Sequence, residues 1–168
     1  MRRNLIPFSF VSFFVTMLMV LFVSPCGLSQ GQPAQSPIRW RMIVKMTSPT
    51  EGTVTVKALL SDGWHLYGFD MPKGGPKPTT FDFSESTGIK LVGEPEPSVK
   101  PVMKDDKQFG EKLSQWESNV TFVQRFKLTG KGGVVKLGIR YMGCNDATCM
   151  PPRTENFSTP VPEFKKTR

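Results

Sequence analysis

The sequence predicts an all-β protein that folds as an immunoglobulin-like antiparallel β-sandwich. Apolar residues recur at every second position over several segments, which is the period of a strand with one buried face. The clearest examples are residues 119–128, where Phe122 and Phe126 share a face, and residues 134–142, which alternate in the same way. Turns rich in Gly and Pro separate these segments, and no stretch carries a convincing helical pattern. Many short strands joined by such turns are typical of a sandwich.

Each expected strand ends where the local sequence favours a turn. Ser61-Asp62-Gly63, Gly93-Glu94-Pro95 and the Gly-rich run at 129–133 are such breaks. Residues 70–78 are too rich in Gly and Pro to join a hydrogen-bonded ladder, so we expect a long connection there. The strands are therefore expected at residues 38–46, 53–60, 63–69, 79–83, 89–93, 99–103, 119–128, 134–142 and 156–161.

A second long connection is expected over residues 104–118, which are mostly polar but contain Phe109 and Trp116. Loops of this length within a compact domain are usually functional or disordered. Phe109 is followed by Gly110, and an exposed aromatic ring at a loop tip favours function because it needs a surface to cover. We therefore predict a functional loop with Phe109 at its tip.

The chain of 168 residues is long enough for one domain with one core. Arg2 and Arg3 precede an uncharged apolar stretch over residues 5–23, which is the pattern of a secretory signal peptide, although the stretch is long enough to span a bilayer. A lipoprotein anchored at Cys26 is the least favoured alternative, because Pro25 precedes that cysteine. All three place the domain outside the cytoplasm. The predicted divisions are a signal peptide or N-terminal anchor over residues 1–29, a disordered tail over 30–37 and the sandwich over 38–164.

Charge and composition argue against several classes of function. The formal net charge is +8, but the basic residues are scattered, so we expect no nucleic-acid binding. Asp105 and Asp106 are adjacent, which favours a solvated turn over a pair of converging catalytic carboxylates. Gly74-Gly75 is flanked by prolines and opens no helix, so it does not indicate a phosphate-binding loop.

The chemistry is expected in the segment YMGCNDATCMPP, residues 141–152. Cys144 and Cys149 are separated by the turn-prone sequence Asn-Asp-Ala-Thr, so the chain can fold back and bring the two sulfurs together. Outside the cytoplasm such a pair bonds or exchanges. The spacing alone leaves a structural disulfide and a redox pair equally open. Asp146 tends to raise the pKa of a neighbouring thiol and no cation within the loop lowers it, which suits a relay better than a broad oxidant.

Two further functions remain open from the residues alone. Met142, Cys144, Cys149 and Met150 form a cluster of soft ligands, which would suit an exported copper(I)-binding module. An interaction sandwich with an inert structural disulfide is the other alternative. His65 is the only histidine, and packing or surface exposure accounts for it more simply than a ligand role. We therefore expect neither a bound metal nor another cofactor.

The cysteine segment resembles the active-site segment of the N-terminal periplasmic domain of the thiol:disulfide interchange protein DsbD. The sequence GWHLYGFDMPKGGPKPT, the 104–118 segment and the last strands match this family in the same order, over residues 38–162. The resemblance implies an immunoglobulin-like sandwich in the periplasm whose cysteine pair passes electrons, as one component of a protein-disulfide reductase. This sequence departs from the family in three ways: four residues instead of five separate the cysteines, the cap carries one aromatic residue instead of two, and no transmembrane bundle or thioredoxin-like domain follows.

The resemblance also implies roles for individual residues. Cys149 would be the attacking thiol that forms a mixed disulfide with a partner, and Cys144 would be the resolving thiol. Asp106, Phe109 and Gly110 would belong to a cap loop that shields the sulfurs. The residues that would line the cysteine pocket are Tyr67 and Tyr141.

The partners implied are other redox proteins. A membrane-embedded or thioredoxin-like protein would reduce the pair, and we expect it to be a separate chain because no such domain follows the final EFKKTR. The reduced pair would then serve periplasmic thiol–disulfide proteins or cytochrome c maturation proteins. Contact with the membrane is expected only through the possible N-terminal anchor.

Overall fold

The computed structural model describes residues 36–165, and over this range the chain is all-β with no helix. The predicted leader at 1–29 and most of the predicted tail lie outside the described residues. Ser36 and Pro37, which were predicted to belong to the tail, join the domain, since the Ser61 amide donates to the Pro37 carbonyl oxygen at 2.8 Å. The strands are β1 (Ile38–Met46), β2 (Glu51–Leu60), β3 (His65–Tyr67), β4 (Thr80–Asp82), β5 (Ile89–Pro97), β6 (Val102–Asp106), β7 (Glu111–Trp116), β8 (Val120–Leu128), β9 (Val134–Tyr141), β10 (Gly143–Cys144) and β11 (Arg153–Pro160).

The strands form three antiparallel sheets. The first has the order β1-β2-β8-β5, the second β10-β3-β7-β6 and the third β11-β9-β4. The first sheet packs against the other two, and this confirms the predicted immunoglobulin-like sandwich. No helix within residues 36–165 is long and apolar enough to cross a membrane.

Aromatic side chains hold the sheets together. Phe122 of the first sheet lies 5.0 Å from Trp116 of the second and 4.9 Å from Phe81 of the third, measured between ring centroids. Trp40 of the first sheet packs at 5.3 Å against Tyr141 of the third. The burial of alternate residues in β8 and β9 agrees with the predicted period of two. Each such ring removes a large apolar area from water and adds edge-to-face contacts, which makes this layer the main source of stability.

The prediction of a long loop over residues 104–118 is wrong. Residues 102–116 form a hairpin of β6 and β7 joined by the turn at 107–110, and residues 117–118 follow β7 outside the strands. Gly110 closes this turn with a φ of 70°, and its amide donates to the Asp106 carbonyl oxygen at 2.8 Å. The polar composition agrees with the exposure of both faces of β6 over residues 102–105, whereas Leu113 of β7 is buried.

The prediction that a strand ends at Gly93-Glu94-Pro95 is also wrong, because β5 continues through these residues. The pairing with β8 shifts register between Val92 and Glu96, which marks a bulge, and Gly93 supplies the φ of 69°. The buried Gln124 side chain donates to the carbonyl oxygens of Val92 at 3.2 Å and Gly93 at 3.1 Å. A polar side chain in the core thus satisfies carbonyls that the irregular pairing leaves free.

The step from β9 to β10 places the first cysteine of the pair. Past Met142 the chain leaves the third sheet and enters the second, where Gly143 pairs with Leu66 and Cys144 pairs with His65. A side chain at position 143 would bring a Cβ atom to 2.5 Å from the His65 carbonyl oxygen. Only glycine therefore allows this close approach between β10 and β3.

Gly143→Ala is expected to lower the free energy of unfolding by about 2 kcal/mol, because the added methyl group meets backbone that cannot yield easily. Gly130→Ala is the matched control, since a Cβ atom there meets no atom within 4 Å and the change should be within about 0.5 kcal/mol of neutral. Urea unfolding of both variants measures the difference. Equal stability of the two variants would contradict the tight β10–β3 contact.

Candidate functional site

Cys144 and Cys149 form a disulfide at the end of the second sheet, as the predicted fold-back of the chain requires. Between them Asn145 organises the turn, because its Oδ1 atom accepts the amides of Ala147 at 2.9 Å and Thr148 at 2.8 Å. The Met150 amide donates to the Gly143 carbonyl oxygen at 3.0 Å and closes the loop. The turn residues at 146–148 are exposed. The pair is therefore held in a short, defined loop at the protein surface.

The two cysteine residues differ in their exposure to solvent. Cys144 has an exposed fraction of 0 %, whereas Cys149 is partly exposed. Disulfide exchange depends on which sulfur an incoming thiolate can reach. Geometry therefore favours attack at Cys149.

A small hydrophobic cluster surrounds the buried sulfur and is distinct from the main core. We call it the cysteine cluster. Its fully buried members are Tyr67, Leu113 and Cys144, and its partly buried members are Met71, Phe109, Met142 and Cys149.

The turn at 107–110 lies over this cluster. Phe109 packs on it with its ring edge toward Tyr67, at 6.0 Å between centroids and 87° between planes. Two exposed contacts join the turn to the cysteine loop: Lys107 Nζ lies 2.8 Å from Asp146 Oδ2, and Gln108 Nε2 donates to the Asp146 carbonyl oxygen at 3.3 Å. Exposed ion pairs contribute little to stability, so these contacts can open at small free-energy cost.

Tyr141, which was predicted to line the cysteine pocket, lies elsewhere. The alternation of β9 directs it into the main core, where it packs on Trp40, and its hydroxyl lies 3.4 Å from the Ile38 carbonyl oxygen. The chain changes sheets between Tyr141 and Cys144, so the two residues belong to different clusters.

Asp106 ends β6 and is the polar centre of the turn at 107–110. Its Oδ1 atom accepts the amides of Gln108 at 2.8 Å and Phe109 at 3.1 Å, and its Oδ2 atom accepts the Tyr67 hydroxyl at 2.7 Å. Asp106 is only 6 % exposed, so the solvated turn predicted for Asp105 and Asp106 is wrong for the second residue. Burial raises the pKa of Asp106, but the hydrogen bonds to the carboxylate outweigh burial and hold that pKa below its ordinary value.

The Tyr67 hydroxyl links Asp106 to the disulfide. It lies 2.7 Å from Asp106 Oδ2 and 3.0 Å from Cys144 Sγ. Thr79 fixes the Tyr67 backbone by donating to its carbonyl oxygen at 2.6 Å. Burial and the neighbouring Asp106 carboxylate raise the pKa of Tyr67 far above its ordinary value. Tyr67 therefore keeps its hydrogen and has two neighbours that can accept it.

His65 packs within the site, which agrees with the packing or surface exposure that the sequence favoured over a ligand role. Its Nε2 atom lies 3.4 Å from Asp106 Oδ2, and its ring packs edge-to-face on Tyr67 at 5.0 Å between centroids. Desolvation by burial lowers the pKa of His65, and the nearby carboxylates of Asp106 and Glu117 only partly offset it. The pairing of β3 with β10 places His65 opposite Cys144, and this contact between distant segments leaves no local pattern in the sequence.

The soft-ligand cluster of the copper alternative is divided between two parts of the fold. Met142 belongs to the cysteine cluster, whereas Met150 is buried in the main core. The two cysteines are joined in a disulfide, which offers no thiolate to a metal. Within residues 36–165, no group of three or more His, Cys, Asp or Glu side chains is arranged to hold a metal ion.

Solved structures share the fold. The N-terminal domain of DsbD from Neisseria meningitidis, in its reduced form, matches with a TM-score of 0.51 at 20% identity, over 77% of this chain and 89% of that one. The N-terminal periplasmic domain of ScsB from Proteus mirabilis matches with a TM-score of 0.51 at 15% identity, over 77% of this chain and 48% of that one. No curated protein matches the sequence.

A family model described as the N-terminal part of the thiol:disulfide interchange protein DsbD matches residues 35–160. The matched range contains the whole cysteine cluster, the turn at 107–110 and every strand described above. The chain therefore belongs to the family of the DsbD N-terminal domain, and its function is thiol–disulfide exchange.

Proposed function

We propose that this domain is an electron relay outside the cytoplasm, in which Cys149 exchanges with partner proteins and Cys144 resolves the mixed disulfide. The observation that carries the proposal is the unequal exposure of the two cysteine residues: Cys149 is partly exposed and Cys144 is fully buried beside Tyr67. A purely structural disulfide has no need of such an arrangement. A relay needs one sulfur within reach of a partner and one protected from side reactions.

Reduction of the pair begins at Cys149. A thiolate of the reductant attacks Cys149 Sγ, a new intermolecular S–S bond forms, and the Cys144–Cys149 bond breaks as Cys144 Sγ leaves with the electron pair. A second thiolate of the reductant then attacks the reductant sulfur that is bonded to Cys149, and Cys149 is released as a thiolate. The reductant loses two electrons and becomes a disulfide, while the domain gains two electrons and becomes a dithiol.

Delivery of the electrons follows the same path in reverse. The Cys149 thiolate attacks a disulfide of the substrate and displaces one substrate sulfur as a thiolate. Cys144 then attacks Cys149 Sγ, which restores the intramolecular disulfide and releases the second substrate sulfur. Two electrons have moved from the domain to the substrate.

We infer that the reductant is a membrane-embedded or thioredoxin-like protein. The substrates are periplasmic thiol–disulfide proteins or cytochrome c maturation proteins. The domain thus forms one component of a protein-disulfide reductase. Membership of the DsbD N-terminal family supports this assignment, because exchange between proteins is the activity that the family name describes.

The location outside the cytoplasm has two supports. The ScsB domain with the same fold is described as periplasmic. In addition, residues 1–29 of this chain carry the pattern of a signal peptide or N-terminal anchor. A disulfide is stable in such an oxidising compartment.

We further infer that Phe109 acts as a cap. Its ring packs on the cysteine cluster, and the turn that carries it is fixed by hydrogen bonds to Asp106 and by weak surface contacts to Asp146. A docking partner can displace this turn without disturbing the main core, because the two hydrophobic clusters are separate.

Single-cysteine variants should differ sharply in reactivity. In a Cys26→Ser background, Cys144→Ser leaves only Cys149, and this variant should form a mixed disulfide with glutathione disulfide at least about tenfold faster than Cys149→Ser, because Cys144 is buried. Mass spectrometry of quenched samples measures both rates. In denaturant the two variants should react alike, which shows that the difference arises from the fold. A Cys144 thiol that reacts as fast as Cys149 in the folded protein contradicts the proposed roles.

Removing the cap should expose the disulfide. Phe109→Ala is expected to speed its reduction by dithiothreitol about fivefold or more, because a small reductant then reaches Cys149 without displacing the ring. The control is Phe164→Ala, which removes a partly exposed ring that lies outside the cysteine cluster and should leave the rate unchanged. Reduction is followed by thiol alkylation and gel shift. Identical rates for the wild type and Phe109→Ala would eliminate the cap.

A further inference from the structure

One hydrogen atom serves two acceptors in the site. The Tyr67 hydroxyl lies 2.7 Å from Asp106 Oδ2 and 3.0 Å from Cys144 Sγ, but a phenol has a single hydrogen to donate. While the disulfide is intact, its sulfur is a weak acceptor and the carboxylate takes the hydrogen. When the disulfide opens, Cys144 leaves as a thiolate, and two negative groups then compete for that hydrogen.

His65 is placed to change this competition. Its Nε2 atom lies 3.4 Å from the same Asp106 oxygen that accepts the Tyr67 hydroxyl. This nitrogen is buried and has no hydrogen-bond partner among the described residues. An unpartnered buried nitrogen beside a carboxylate is unfavourable in the resting state, and protonation of the ring would turn the same contact into an ion pair.

We propose that His65 is a positioning residue for disulfide exchange. In its protonated form it pairs with the Asp106 carboxylate, so that the Tyr67 hydroxyl can donate its hydrogen to the Cys144 sulfur as that sulfur becomes a thiolate. The inference rests on the proposed function, in which Cys144 is the leaving sulfur. No proton changes carrier in this step. The Cys144–Cys149 bond breaks toward Cys144, the new bond forms between Cys149 and the incoming sulfur, and only the direction of the Tyr67 hydrogen bond changes.

The surroundings of His65 set the pH at which this happens. Burial lowers the pKa of His65, so the ring is still neutral at a pH equal to the ordinary pKa of histidine and becomes protonated only at a lower pH. The assistance from His65 should therefore appear at acidic pH and vanish at alkaline pH. The titratable and charged groups around the ring are Asp106 and Lys104 of β6, Glu117 after β7, Asp146 of the cysteine loop, Tyr67 of β3 and Cys144 of β10.

The test compares the rate of reduction by dithiothreitol in the full chain, in a Cys26→Ser background, between pH 5 and pH 8. His65→Phe keeps a ring that can pack on Tyr67 but removes the titration. Because the ionisation of dithiothreitol is common to both proteins, the ratio of wild-type to His65→Phe rates isolates the histidine. We expect this ratio to rise about tenfold from pH 8 to pH 5, because protonation of His65 adds one charge-assisted hydrogen bond in the wild type.

A second variant gives an opposite signature. Asp106→Asn removes the carboxylate that competes for the Tyr67 hydrogen while its Oδ1 atom can still accept the turn amides. We expect it to be about tenfold faster than the wild type at pH 8, and their ratio to fall toward one at pH 5. A merely structural role for His65 would not produce this pair of pH profiles. If His65→Phe does not fold, the pH profile of Asp106→Asn tests the proposed role of His65 by itself.

The outcomes separate the two proposals. A ratio of wild-type to His65→Phe rates that is constant within twofold across the pH range overturns the role of His65, and so does an Asp106→Asn rate with the wild-type profile. A wild-type disulfide that dithiothreitol fails to reduce at any pH overturns the proposed function itself.

Discussion

The pairing of β10 with β3 is the constraint on which the site depends. It is only two residues long, yet it seats Cys144 opposite His65 and beside the Tyr67 hydroxyl. Gly143 permits it by carrying no side chain where the two backbones meet. The pairing moves the chain from the third sheet to the second, so the first sulfur is buried in a separate cluster and the second remains near the surface. The asymmetry that the relay needs therefore follows from backbone geometry.

The division of hydrophobic residues into two clusters separates stability from function. The main core joins the three sheets through large aromatic rings and needs no contribution from the cysteines. The cysteine cluster is small, and two exposed contacts of little energetic value join the turn at 107–110 to the cysteine loop. Under the proposed function, a partner displaces this turn while the sandwich stays folded, since the elements that open most easily are those with few buried contacts.

Electrostatics around the buried sulfur converge on one carboxylate. Asp106 accepts the amides of Gln108 and Phe109 in the turn over the cysteine cluster, and it accepts the Tyr67 hydroxyl, which also lies 3.0 Å from Cys144 Sγ. The turn and the hydroxyl beside the buried sulfur therefore share one carboxylate. His65 is the third group on the same carboxylate, and burial lowers its pKa, so its charge changes at acidic pH.

Local patterns in the sequence were sufficient for much of the fold. The alternation in β8 and β9 predicted their buried faces, and the turn-prone residues between the cysteines predicted the fold-back of the chain. The hairpin of β6 and β7 was not predicted, because most of its side chains are polar. The position of Tyr141 and the membership of His65 in the site depend on which strands pair across the sandwich. Such contacts join residues far apart in the chain, and a period of two does not specify them.

The reduction potential of the Cys144–Cys149 pair tests the relay most directly. The purified chain is equilibrated with a thioredoxin of known potential, and the fraction of dithiol is quantified by alkylation and mass spectrometry. A relay pair should come to equilibrium at a potential clearly above about −300 mV, where thioredoxin-like proteins can reduce it. A potential below about −300 mV, or a disulfide that stays intact in the folded protein, would identify an inert structural bond and contradict the account.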